Sequence, residues 1–114
     1  NVHTEQDQMI RDAKQFILEH IQETIYVEAI ANQVHLNEQY LMRLFKKETG
    51  MTILEYITNE RVTMAAELLV ETNFPIVTVA DSVGYGNYSY FTKIFKRYMG
   101  DNPKTYRQKH KTAE

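Results

Sequence analysis

The chain contains no cysteine, and only two prolines and four glycines occur in its 114 residues. Without cysteine there is no disulfide framework and no Cys-based zinc site, a composition that fits a reducing cytosol. No stretch approaches about 18 consecutive apolar residues, and the start lacks a basic segment followed by an apolar one. A soluble, cytoplasmic chain with no membrane span and no export signal is expected. The first residue is Asn1 rather than Met, and a piece of a longer protein is expected from that. Signatures of catalysis are missing too. His3, His20, His35 and His110 are scattered, with no HExxH pair, no Gly-rich phosphate loop and no nucleophile motif, so no metal, no cofactor and no enzyme activity are expected.

An excess of positive charge is also absent. The net charge is −2 and the pI is about 6.1, which argues against a strongly basic nucleic-acid binder. The charges are nevertheless segregated. Residues 1–35 carry two Lys/Arg against six acids, and residues 51–84 carry one Arg against five acids. Residues 36–50 carry three bases against two acids, and residues 85–111 carry seven bases against one acid. The bases thus concentrate in two separate stretches.

Those stretches are copies. Residues 40–50 read YLMRLFKKETG and residues 90–100 read YFTKIFKRYMG. Tyr40/Tyr90, Phe45/Phe95, Lys46/Lys96 and Gly50/Gly100 are identical, and Arg43/Lys93, Leu44/Ile94 and Lys47/Arg97 keep their chemistry. Ahead of each copy, Ala31 matches Ala80 and Val34 matches Val83; behind it, Tyr56 matches Tyr106. The offset grows from 49 to 50 around Gly84-Tyr85-Gly86-Asn87, so the second copy carries one extra residue.

Apolar residues at 9, 10, 13, 16, 17 and 21 predict a first helix from about Gln6 to Glu23. Thr52-Ile53-Leu54-Glu55 is a capping-box pattern opening a helix that Asn73-Phe74-Pro75 closes. Asn102-Pro103 opens a short last helix through Tyr106. No strand pattern emerges, so the chain reads as all-α. Each copy is a short helix, a tight turn, a second helix and the start of a third, the helix-turn-helix arrangement whose second helix can enter a DNA major groove.

The second helices have two faces. At about 100° per residue, Leu41, Leu44 and Phe45 turn inward, while Gln39, Met42, Arg43 and Lys46 turn outward. In the second copy Phe91, Ile94, Phe95 and Tyr98 turn inward, and Ser89, Thr92, Lys93 and Lys96 outward. An acid-free outer face of amide, hydroxyl, guanidinium and ammonium offers what base edges and phosphates require. Core demands explain repeated Leu and Phe; they do not require Arg43 and Lys93 at the same outward place. A helix from Thr52 to Glu71 is roughly 30 Å long, close to one DNA turn, so the expected site has unequal consecutive elements read in successive major grooves. The competing reading is a helical protein-interaction module binding an acidic partner, which a weak salt dependence would reveal.

The chain from about Ile10 to Arg107 resembles the DNA-binding domain of AraC/XylS-type transcription regulators, through VEAIANQVHLNEQYLMRLFKKETG, RVTMAAELL and VADSVGYGNYSYFTKIFKRYMGDNPKTYR. The resemblance implies two homeodomain-like helix-turn-helix subdomains, about seven helices in all: residues 6–51, a linker helix over 52–72, and residues 73–110. It implies double-stranded promoter DNA as partner, frequent contact with RNA polymerase, and a separate sensing, receiver or dimerisation domain outside the present sequence. Its base-reading positions fall on Gln39, Tyr40, Met42 and Arg43, and on Tyr88, Ser89, Thr92 and Lys93. Arg43 suits bidentate pairing with guanine, Gln39 with adenine, and Met42 a thymine methyl. Lys46, Lys47, Lys96 and Arg97 are the expected phosphate contacts, while Tyr40 and Tyr90 have core-edge packing as an alternative, favoured for Tyr90. Two departures concern stability. Tyr26 and Val77 stand where the family has capping Ser or Thr, and His35 stands at a turn position where Gly is common and Gly84 keeps it. Lys93 in place of an Arg-like reader implies a second unit that grips the backbone more than it reads bases.

Overall fold

The computed structural model describes residues 2–111. Among them there are seven helices and no strand: α1 Val2–Glu19, α2 Val27–Gln33, α3 Glu38–Thr49, α4 Ile53–Glu71, α5 Ile76–Ser82, α6 Tyr88–Met99 and α7 Pro103–His110. They form two compact units, residues 1–58 and 59–114, and the division falls within α4.

In the first unit α1, α2 and α3 pack on one another. Ile10, Ala13 and Ile17 of α1 are buried with Ile30, Ala31 and Val34, and with Leu41, Leu44 and Phe45. α1 ends at Glu19 rather than Glu23 and starts at Val2 rather than Gln6. The reason lies at its end: Ile21 is buried, which continues the apolar spacing, but it sits in a turn closed by the Glu23 N–H to the His20 carbonyl at 2.9 Å. Apolar spacing reports burial, and burial does not stop where the helix does.

The second unit buries Val62, Ala65, Ala66 and Leu69 of α4 against Val79, Ala80, Val83, Tyr85, Phe91 and Phe95. Burial lowers the Arg61 guanidinium from its ordinary value while Tyr85, whose ring it faces at 5.6 Å, pulls it back up; it stays charged.

The duplication is visible bond by bond. Val34 and Val83 end α2 and α5, and the next residues, His35 (φ 60) and Gly84 (φ 94), are left-handed. Leu36 N–H reaches Ala31 O at 3.0 Å and His35 N–H reaches Asn32 O at 3.3 Å; Tyr85 to Ala80 (2.9 Å) and Gly84 to Asp81 (3.1 Å) repeat the pattern. Both turns are thus Schellman motifs, which satisfy the last carbonyls of a helix with the two residues that leave it. Asn37 and Asn87 then cap α3 and α6, each accepting the N–H three residues on, at 2.8 and 2.9 Å. Gly86 is the extra residue between turn and cap. The third helices open alike, on Thr52 with its reciprocal bonds to Glu55 and on Asn102 accepting Thr105 N–H. Tyr56 meets Phe45 edge-on with centroids 5.3 Å apart, and Tyr106 meets Phe95 edge-on at the same 5.3 Å.

Three expectations change and one, at Tyr26, stands. α7 runs on to His110, beyond Tyr106. α5 begins at Ile76 with Pro75 at its cap, so Val77 is already helical; proline needs no hydrogen-bonding partner for an N–H, which eases a start without a capping side chain. α2 does start on Tyr26 without a side-chain cap. Tyr98 is 40% exposed rather than inward, because Tyr106 from α7 supplies the aromatic partner of Phe95 at that end.

Candidate nucleic-acid interface

α3 and α6 are the second helices of the two turns, and their amphipathic division places the polar residues. Leu41, Leu44 and Phe45 hold α3 to its unit, and Phe91 and Phe95 hold α6 to its own. On α3 the opposite side exposes Gln39, Met42, Arg43, Lys46 and Lys47. On α6 it exposes Tyr88, Ser89, Tyr90, Lys93, Lys96 and Arg97. Arg43 and Lys93, fifty positions apart, therefore occupy the same outward place on matching helices.

Two of the expected base contacts are less open. Thr92 is half-buried, and its hydroxyl donates to the Ser89 carbonyl at 2.9 Å, so its donor is used by its own helix. Tyr40 is half-buried, and its phenol oxygen accepts from Gln6 Nε2 at 3.2 Å. Tyr90 differs: its ring leans on Tyr85 at 5.9 Å yet stays 53% exposed, so packing takes one edge only.

The cations sit in the last turns, Lys46 and Lys47 on α3, Lys96 and Arg97 on α6, where the negative end of the helix dipole favours them. Lys46 Nζ donates to the Gly50 carbonyl at 3.1 Å and so closes its own helix end. Lys96 makes no such bond among the described residues, which leaves its ammonium for an external anion.

Asn37 and Asn87 went unrecognised in the sequence, although an Asn directly before an apolar-periodic run is a cap signal. Gln6 went unrecognised because nothing local marks a contact made 34 residues away. Among the described residues there is no group of three or more His, Asp or Glu that could hold a metal ion, and no helix is long and apolar enough to cross a membrane.

A helix-turn-helix domain model matches residues 30–109. The arabinose operon regulatory protein of Salmonella typhimurium is 32% identical over 108 residues, 94% of this chain. The chain belongs to the AraC/XylS family. It spans only 38% of that regulator's length. The C-terminal domain of AraT, a response regulator from Geobacillus stearothermophilus, matches this AraC-type chain with TM-score 0.88 and 34% identity, covering 93% of this chain and 88% of that one. The DNA-binding domain of the global transcriptional factor AdpA, solved in complex with a target DNA, matches with TM-score 0.82 and 26% identity over 88% of this chain and 90% of its own. The likeness to these neighbours supports an all-α fold with two helix-turn-helix units.

Proposed function

We propose that the chain is the double-stranded-DNA-reading part of a longer AraC-type transcription regulator, with α3 and α6 each entering a major groove at unequal consecutive elements of a promoter. The observation that carries this is the pairing of Arg43 and Lys93 at one outward place on two helices framed by the same turn, the same Asn cap and the same Gly end. The family membership and the DNA-bound AdpA domain support it. Gln39, Met42 and Arg43 read bases on α3, with Tyr40 half-buried behind them; Tyr88, Ser89, Thr92 and Lys93 take the corresponding place on α6. Lys46, Lys47, Lys96 and Arg97 neutralise phosphates.

The chain itself carries no catalysis and acts in the cytoplasm. The short share of its relative that it spans, and the likeness to a response regulator's C-terminal domain, favour a sensing, receiver or dimerising segment elsewhere in the full protein, with RNA polymerase as a further partner. Selection of bound duplexes from a random pool tests the reading: two recurring elements are expected. Four phosphate contacts give a slope of log affinity against log salt of about −3.6. A pool that stays random, or a slope near zero, would instead favour the protein-interaction module.

A further inference from the structure

Arg43 does not project from α3 unsupported. Its guanidinium carbon lies 5.9 Å from the centroid of the Tyr40 ring, one turn earlier on the same helix. Tyr40 is itself held at both ends. Its backbone N–H goes to the Asn37 carboxamide at 2.8 Å, and its phenol oxygen accepts from Gln6 Nε2 on α1 at 3.2 Å, in a half-buried setting. Gln6, Tyr40 and Arg43 thus form a chain running from α1 to the outward face of α3, all within the first unit. The second unit has no equivalent: Tyr90 makes no hydrogen bond through its phenol among the described residues, its ring rests on Tyr85 instead, and the outward residue is Lys93.

A free arginine side chain samples many rotamers and loses that freedom when it makes a bidentate contact. A guanidinium already lodged against a fixed ring loses less, and the benefit appears only where the fork meets the base that fits it. A loosened ring would release the guanidinium, which still finds phosphates as a mobile charge but discriminates less among bases.

We propose that Gln6, which lies on α1 rather than on either helix of the turn, is a specificity-determining positioning residue: by anchoring the Tyr40 hydroxyl it presets Arg43 for the base it reads. The proposal rests on the base-reading role assigned to Arg43 above. Gln6 itself touches no DNA in this scheme, and Tyr40 acts as a wedge between α1 and the guanidinium.

The test uses the full 114-residue chain, the duplex recovered by selection, a panel with each base pair changed in turn, and a random duplex. Wild type, Gln6→Ala, Tyr40→Phe, the double variant and Arg43→Ala are titrated against each, with circular dichroism and thermal unfolding as fold controls. Tyr40→Phe keeps the ring and removes only the anchored oxygen. Expected is a loss of discrimination of about two- to tenfold, the factor equivalent to one neutral hydrogen bond, in both single variants. It should fall at the base pair where Arg43→Ala loses its preference, with random-duplex affinity and helicity unchanged. The double variant should be no worse than either single one, since both cut the same chain. Equal losses on specific and random duplexes, effects that multiply in the double variant, or a loss at another base pair would overturn the role of Gln6. If Arg43→Ala is base-specific while Gln6→Ala is silent, the positioning role alone falls. If Arg43→Ala shows no base-specific loss, the base-reading assignment falls and takes this one with it.

Discussion

Arg107 Nε donates to the Leu69 carbonyl at 2.9 Å, tying α7 to the end of α4 within the second unit. Lys111 Nζ adds bonds to the carbonyls of Val70 (3.3 Å) and Thr72 (3.0 Å). The last carbonyls of a helix have no partner within it and carry the negative end of its dipole, so a cation from α7 and a second from the residue that caps it are well suited to this end of α4 and the residue after it. Arg107→Ala is expected to destabilise the protein by about 1.5–3 kcal/mol, the range for a hydrogen bond to a charged group. Lys111→Ala should cost about 0.3–1 kcal/mol, since its ammonium is a more solvated partner at a helix end. Arg107→Lys should not restore the loss, because the bond uses the guanidinium Nε–H. Urea unfolding with unchanged slope checks this; an Arg107→Ala midpoint equal to wild type would count against it.

The two turns make an internal comparison of left-handed residues. His35 at φ 60 bears a side chain where Gly84 at φ 94 has none. A side chain in this region costs about 1–2 kcal/mol through the clash of Cβ with the following carbonyl. His35→Gly is therefore expected to leave stability unchanged or raise it by about 1 kcal/mol, the rest being offset by the added freedom of glycine in the unfolded chain. Gly84→Ala should lower stability by about 1–2 kcal/mol. Changes of the same sign in denaturant midpoint would show that the copies differ in something other than Cβ.

Much of this architecture was legible because the chain states it twice. Ala31/Ala80, Val34/Val83 and Tyr56/Tyr106 repeat in the sequence because each pair occupies the same place in its own unit: the alanines accept the turn N–H and the tyrosines meet the phenylalanines edge-on. The capping box was legible because its two bonds span only three residues. What escaped lies at the ends of periodic runs and in long-range contacts. Ile21 extends an apolar stripe past the helix it belongs to, and Tyr98 continues one where another residue already fills the space. The Gln6–Tyr40 bond and the Arg107–Leu69 bond join residues 34 and 38 apart, and no local pattern encodes either.

Glu55 gives a pH dependence. Its carboxyl is held below its ordinary value first by the Thr52 backbone N–H, which it accepts at 2.8 Å, then by the Thr52 hydroxyl; desolvation opposes this, and the charge of Lys46 lowers it by the least. A folded-state pKa below the unfolded one means that the ionised carboxylate stabilises the folded chain fully above the unfolded value. That contribution is lost as pH falls through the lowered folded value. The difference in urea midpoint between wild type and Glu55→Ala is expected to be largest at neutral pH and to shrink as acid takes Glu55 below the ordinary carboxylate range. A difference constant over that interval would mean that the capping box owes nothing to the charge.

If the proposed DNA-binding roles hold, variants of Arg43 and Lys96 are expected to separate reading from gripping. Arg43 stands mid-helix on the outward face of α3, where a guanidinium fork matches the O6 and N7 acceptors of guanine. Arg43→Ala should cost about 1–3 kcal/mol on the selected duplex and relax preference at one base pair, with a much smaller loss on random DNA. Lys96, in the last turn of α6 with its ammonium unengaged, should behave as a phosphate contact. Lys96→Ala is expected to weaken every sequence alike and to reduce the steepness of the log–log salt dependence by about 1. Lys46→Ala should show a smaller salt effect than Lys96→Ala, because Lys46 already donates to Gly50 at 3.1 Å and must give up that bond to meet a phosphate. Titrations of the three variants at several salt concentrations check all of this together. Equal salt slopes for wild type and Lys96→Ala would remove Lys96 from the backbone contacts, and a uniform loss for Arg43→Ala on all duplexes would make Arg43 a grip rather than a reader.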